Sequence, residues 1–145
     1  MKRIMLIGRT SAGKTSFCQV LHHHEIKYKK TQAIEIIDNA IDTPGEYVEN
    51  RALYRALVVT AADADVVILV QDCTDPQCFF APNISGMFNR PTIGLATKID
   101  LVQNEEEVLQ AMAKLELAGC EKVFKISSTQ NIGVDEVRKY LGIAE

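Results

Sequence analysis

Lys2-Arg3-Ile4-Met5-Leu6-Ile7-Gly8-Arg9-Thr10-Ser11-Ala12-Gly13-Lys14-Thr15-Ser16 is the stretch that decides the fold. An apolar run breaks into G-x-x-x-x-G-K-T and continues into an amphipathic segment ending at Leu21. Strand, glycine loop and helix in that order are the context in which a phosphate loop is credible. The glycines let backbone N–H groups turn inward, and the helix N-terminus adds partial positive charge. Lys14 would reach the β- and γ-phosphates, and the Thr15 hydroxyl would ligate Mg²⁺. Gly8, Arg9, Thr10, Ser11, Ala12, Gly13, Lys14, Thr15 and Ser16 are therefore the candidate phosphate-contacting residues. The bland alternative is a glycine turn with no ligand, and the flanking strand and helix argue against it.

The remaining composition is compatible with this start. The chain has 145 residues, 47% hydrophobic and 24% charged, with a net charge of −3. That length suits one domain with one core, expected to span 1–145. The slightly acidic balance gives no basic footprint for nucleic acid. Four cysteines without C-x-x-C spacing read as reduced thiols of a cytoplasmic protein. No apolar run is long enough to span a membrane, and none resembles a signal peptide.

Strand-like runs at 3–7, 33–37, 40–42, 66–72, 92–97 and 123–126 alternate with helical patterns at 14–21, 50–62, 105–119 and 134–141. A shorter helix is expected near 84–88. Val66-Val67-Ile68-Leu69-Val70 is apolar throughout, as in a strand buried on both faces. The alternation predicts a three-layer α/β/α sandwich on a six-stranded, mainly parallel sheet. Asp38-Asn39 between two short runs predicts a tight hairpin, and hence one antiparallel edge strand. Asn104 before Glu105-Glu106-Glu107 reads as a helix cap with an acidic first turn rather than as a metal site.

Three further motifs fall at strand ends, where open α/β sheets bind ligands. Asp42-Thr43-Pro44-Gly45 ends the third strand: Asp42 can hold Mg²⁺ through water, and the Gly45 N–H can meet a γ-phosphate. A plain Pro-Gly turn is the competing reading. Thr97-Lys98-Ile99-Asp100 ends the fifth strand. The Asp100 carboxylate can accept both N–H donors on the edge of guanine, and the Lys98 stem can pack on the base. Ser127-Ser128-Thr129 ends the sixth strand and can back the base.

Taken in order, the four motifs resemble those of a small Ras-like GTPase of the translation-factor-related class, a P-loop NTPase with a G domain. More closely, Lys30-Thr31-Gln32-Ala33-Ile34-Glu35 and Ile41-Asp42-Thr43-Pro44-Gly45-Glu46-Tyr47 resemble the EutP/PduV ethanolamine- and propanediol-utilisation family. The resemblance implies Mg²⁺ and GTP or GDP as ligands, with ATP not excluded. It implies a cytoplasmic protein of operons that build bacterial microcompartments, with a shell or an ethanolamine-pathway enzyme as the candidate partner. Thr31, the one serine or threonine between Ser16 and Thr43, is the candidate switch threonine on Mg²⁺. Lys14, Thr31, Gly45 and Glu46 are the candidate catalytic residues; Thr15, Thr31 and Asp42 are the candidate metal ligands.

The chain departs from the Ras-like pattern at several places. Thr97 replaces the usual asparagine, and Ser128-Thr129 replace alanine-lysine. Glu46 stands where a water-orienting glutamine is usual, and a carboxylate beside a γ-phosphate is electrostatically awkward. Thr10 would crowd an arginine finger, and Ser11 replaces the asparagine of potassium-activated relatives. Slow hydrolysis is expected, at roughly 10⁻⁴ to 10⁻² s⁻¹. The competing functions are an ATP-dependent acetate kinase, with Arg90 as a carboxylate anchor beside residues 79–90, and a non-hydrolysing nucleotide-bound adaptor. His22-His23-His24 suits a helix C-terminus better than a metal, because consecutive helical side chains point about 100° apart.

Overall fold

A computed structural model describes residues 3–9, 12–21, 35–37, 40–43, 51–77 and 80–142. The apolar runs form strands β1 (Ile4–Gly8), β2 (Glu35–Ile37), β3 (Ala40–Asp42), β4 (Val66–Asp72), β5 (Thr92–Thr97) and β6 (Lys122–Lys125). The helices are α1 (Lys14–Leu21), α2 (Tyr54–Ala61), α3 (Glu105–Leu117) and α4 (Val134–Leu141). Single 3₁₀ turns lie at Arg51–Leu53 and Ile84–Met87.

The sheet order is β2-β3-β1-β4-β5-β6. Four pairings, β3 with β1, β1 with β4, β4 with β5 and β5 with β6, are parallel. The β2–β3 pairing is antiparallel, with Ile37 opposite Ala40. That register leaves a two-residue loop at Asp38-Asn39, which themselves lie outside the described residues.

Successive strand side chains point to opposite faces, so each central strand supplies two cores. Met5, Ile7, Val67 and Leu69 pack with Leu57 and Ala61 of α2 and with Val108, Ala111 and Leu115 of α3. Ile4, Leu6, Ile68, Val70 and Leu95 pack with Phe17 and Leu21 of α1 and with Val134, Val137 and Leu141 of α4. This is an α/β arrangement of three layers, with β1 and β4 buried at every position but the last of β4. No helix among the described residues is long and apolar enough to cross a membrane.

One helix start differs from its sequence pattern in kind. The segment expected as one helix from 50 begins as a 3₁₀ turn and becomes α-helical only at Tyr54. Its cap position is Leu53, which offers no side-chain acceptor to the free N–H groups. By contrast, Asn104 Oδ1 accepts the Glu107 N–H at 3.2 Å, and Glu107 Oε2 accepts the Gln103 N–H at 3.3 Å. The acidic run thus closes a reciprocal cap. At its other end α3 stops at Leu117, two residues short of the expected 119. The Gly119 and Cys120 N–H groups turn back to the carbonyls of Glu116 and Leu115.

Because the five parallel strands run the same way, the segments following β1, β3, β4, β5 and β6 share one edge of the sheet. That edge carries the motif residues.

Candidate functional site

The phosphate loop spans the gap between the end of β1 at Gly8 and the start of α1 at Lys14. The Ala12 N–H donates to the Arg9 carbonyl at 3.0 Å, and the Phe17 N–H to the Gly13 carbonyl at 2.9 Å. Gly13 has φ +106°, a left-handed conformation that side chains rarely adopt. Lys14 folds back over the loop: Nζ donates to the Gly8 carbonyl at 2.9 Å and the Arg9 carbonyl at 3.2 Å, and the residue is only 6% exposed. Ala12 and Ser16 are buried behind it. Thr15 is the second residue of α1, and its side chain is outside the description, as are Thr10 and Ser11.

Residues 97–100 are built onto this loop. Thr97 is 2% exposed, and its hydroxyl donates to the Ala12 carbonyl at 2.6 Å, with the Gln71 carbonyl at 3.3 Å. A threonine can therefore tie β5 to the phosphate loop where an asparagine is usual. Lys98 follows with φ +62°, an unfavourable conformation for a side-chain-bearing residue that is concentrated at functional sites. The Leu101 N–H closes a turn onto the Lys98 carbonyl at 2.9 Å, which leaves Asp100 exposed at the edge.

The segment after β6 meets Asp100 directly. Thr129 Oγ1 donates to Asp100 Oδ2 at 3.2 Å and lies 3.4 Å from Ser127 Oγ. Ser127 is fully buried and pairs through its N–H and carbonyl with Ile132, at 3.0 and 2.9 Å. Ser128 is half-buried in the same turn. The replacement of alanine-lysine by Ser128-Thr129 thus brings a hydroxyl onto the carboxylate. Gly133, with φ +77°, leads into α4; a Cβ there would stand 2.4 Å from the Lys125 carbonyl.

Asp42 ends β3 opposite Leu6 of β1, one strand from the phosphate loop. Its side chain is not among those described. The adjacent Thr43 is fully buried, and its hydroxyl donates to the Leu6 carbonyl at 2.7 Å. Thr31, Gly45, Glu46 and His22-His23-His24 lie outside the described residues.

Three polar side chains were not legible as parts of the site. At the end of β4, Asp72 Oδ2 accepts Lys98 Nζ at 2.9 Å, and Asp75 Oδ2 accepts the Arg9 guanidinium at 2.8 Å. Partial burial works against the Asp75 charge, but the Gln77 N–H and Arg9 outweigh it and hold its pKa below the ordinary carboxylate value. In the other core, Arg138 is 3% exposed and donates to the carbonyls of Val20 and Leu21 at 2.6 and 3.2 Å. It closes the C-terminus of the phosphate-loop helix. Its signal was an arginine inside the apolar stripe Val134, Val137, Leu141.

Arg90 has a different job from the expected carboxylate anchor. Its guanidinium donates to the carbonyls of Ala62 and Ala64 just past the end of α2, and to that of the neighbouring Asn89. Cys73 and Cys120 pack into the fold, and burial pushes both thiols up to about 12, so neither is poised as a thiolate.

Residues 1–143 match the model of a family described as ethanolamine utilisation - propanediol utilisation, PduV-EutP. The chain is 46% identical over its whole length to the propanediol utilization protein PduV of Citrobacter freundii, covering 96% of it. The chain belongs to the PduV-EutP family.

Other members and relatives carry different names. A protein of Escherichia coli K12 named probable acetate kinase EutP is 31% identical over 97% of this chain and 89% of its own length. The GTPase Era of Sinorhizobium medicae is 32% identical over 95% of this chain and 51% of its own length. Among solved structures, Aquifex aeolicus Era bound to GDP and AlF4⁻ superposes with a TM-score of 0.68 at 20% identity, covering 97% of this chain and 56% of the other. This PduV-EutP chain therefore has the Ras-like P-loop fold, with the motif residues of β1, β5 and β6 drawn together at one sheet edge.

Proposed function

We propose that the chain is a Mg²⁺-dependent guanine-nucleotide-binding protein that hydrolyses GTP slowly. The observation that carries this reading is the join between two motifs far apart in sequence. Thr97 holds the phosphate loop at Ala12, while three residues later Asp100 is oriented by Thr129. A phosphate cradle and a carboxylate of the kind that reads guanine are thus held at the two ends of the four-residue run 97–100. The relationship to GTPase Era supports the same reading.

In this assignment the N–H groups of residues 8–16 and the Lys14 ammonium bind the phosphates. Asp100 accepts the paired N–H donors of guanine, Lys98 packs on the base, and Ser127, Ser128 and Thr129 back the base, with Thr129 also bonded to Asp100. Thr15, Asp42 and Thr31 are the oxygen donors assigned to Mg²⁺. The first lies just inside α1 and the second at the end of β3, on the same edge. Oxygen donors suit this hard cation, which when bound supplies charge neutralisation at the phosphates. Thr31 and Gly45 are assigned the γ-phosphate-dependent switch, and Glu46 the position beside the reacting water. With a carboxylate there, unassisted turnover stays near roughly 10⁻⁴ to 10⁻² s⁻¹.

The biological setting follows the family: ethanolamine or propanediol utilisation, with a microcompartment shell or a pathway enzyme as the partner of the nucleotide-bound form. The second reading is an ATP-dependent acetate kinase, favoured by the name of the Escherichia coli relative. It loses its expected acceptor anchor, because Arg90 is engaged at the end of α2.

The test is binding of a fluorescent GDP with Mg²⁺ to the wild type and to Lys14→Ala, followed by single-turnover hydrolysis. Binding lost in the variant and slow, acetate-independent GTP turnover are expected. A rate above about one per second would contradict the slow-hydrolysis assignment. ADP production that requires acetate would replace it by the kinase reading.

A further inference from the structure

The turn after β4 belongs to none of the four nucleotide motifs, yet it touches two of them. It is organised from within by Gln71, which is 5% exposed. The Gln71 carboxamide N–H groups donate to the carbonyls of Asp72, Asp75 and Gln77 at 3.2, 3.3 and 3.1 Å. Each aspartate then divides its two oxygens. Asp72 Oδ1 accepts the Thr74 N–H and hydroxyl at 2.8 and 2.6 Å, and Oδ2 accepts Lys98 Nζ at 2.9 Å. Asp75 Oδ1 accepts the Gln77 N–H at 3.0 Å, and Oδ2 accepts Arg9 at 2.8 Å. In both cases one oxygen holds the turn and the other holds a cation of the site. Arg9 is the first variable residue of the phosphate loop, and its carbonyl is a partner of Lys14 Nζ.

We propose that Asp72 and Asp75 are positioning residues for the two halves of the nucleotide site. Asp72 sets Lys98 for the base, and Asp75 sets the Arg9 corner of the phosphate loop. The inference rests on the nucleotide-site assignment above and adds a division of labour to it. Lys98 sits in a left-handed conformation. A side chain on so constrained a backbone gains direction from a fixed partner, and the 13% exposed Asp72 supplies one. The Arg9–Asp75 pair is more exposed, at 37% and 19%. It holds the loop from the side of β4, beside the crevice that Ala12 and Val70 line.

The division can be read with two probes, fluorescent GDP and inorganic tripolyphosphate, both with Mg²⁺. Asp72→Asn and Asp75→Asn each keep the Oδ1 acceptor of the turn and replace Oδ2, which holds the cation, by an NH2 donor. Asp72→Asn is expected to weaken GDP about fivefold to tenfold while leaving tripolyphosphate within about twofold. Asp75→Asn is expected to weaken both probes by the same factor, about threefold to fivefold. The variant Asp75→Glu, which keeps the carboxylate, is expected to recover most of that loss. An Asp72→Asn protein that loses both probes equally, or neither, overturns the base-side role. Unchanged tripolyphosphate binding in Asp75→Asn, or no recovery in Asp75→Glu, overturns the loop-side role. Failure of the wild type to bind either probe would instead remove the nucleotide-site assignment itself.

Discussion

Thr97→Val isolates the contact that joins the two halves of the site. The two side chains are nearly the same shape, so the substitution removes the hydroxyl without opening a cavity. Thr97 is 2% exposed, and its hydroxyl donates to the Ala12 carbonyl at 2.6 Å. Leaving a buried acceptor unpaired costs about 1–3 kcal/mol. The second contact, to Gln71 at 3.3 Å, is long. The lower part of that range, about 1–2 kcal/mol, is therefore expected. For a chain of this size that lowers Tm by about 2–8 °C. Because Ala12 lies inside the phosphate loop, the loss also reaches the ligand. GDP should dissociate at least about fivefold faster, the equivalent of ~1 kcal/mol. Thermal unfolding and stopped-flow displacement of a fluorescent GDP read the two effects, and Thr97→Ser should keep both near wild type. A Thr97→Val protein that melts and releases GDP like the wild type would refute the reasoning.

Gly133→Ala places a Cβ 2.4 Å from the Lys125 carbonyl at φ +77° and should destabilise by about 2 kcal/mol or more in urea unfolding. Arg138→Met keeps the apolar stem but strands the carbonyls of Val20 and Leu21; a loss of about 1–3 kcal/mol is expected. Asp135→Asn, which removes only the exposed partner of Arg138, should change stability by less than ~0.5 kcal/mol. For Asp75 the folded pKa is depressed below the ordinary 3.8, so its stabilising contribution is complete above that value and is lost as pH falls through the folded pKa. Chemical unfolding across acid pH should therefore show a shallower loss of stability in Asp75→Asn than in the wild type.

The strand–loop–helix at the N-terminus was readable because three local rules agree there: an apolar run, a glycine loop and helical periodicity. The edge location of residues 97–100 and 127–129 followed from the same alternation, since parallel strands bring their C-terminal ends together. What escaped reading were contacts between segments with no shared pattern. In the sequence, Asp72-Cys73-Thr74-Asp75-Pro76 is an ordinary strand-end turn, whereas in the fold the second oxygens of Asp72 and Asp75 reach Lys98 and Arg9. Arg90 looked available as an anion anchor, but its role is set by carbonyls left free at the end of α2, which only the packed structure brings within reach. Thr129 looked like a departure from the Ras-like pattern; its bond to Asp100 depends on the tight turn set by the Ser127–Ile132 pairing.

The most direct test of the central claim is competition of GTP, GDP, ATP and ADP against a fluorescent nucleotide, with Mg²⁺, on the wild type and Asp100→Asn. A guanine preference is expected in the wild type and is lost in the variant, while phosphate-loop binding persists. Equal or better binding of ATP, unchanged by Asp100→Asn, would contradict it.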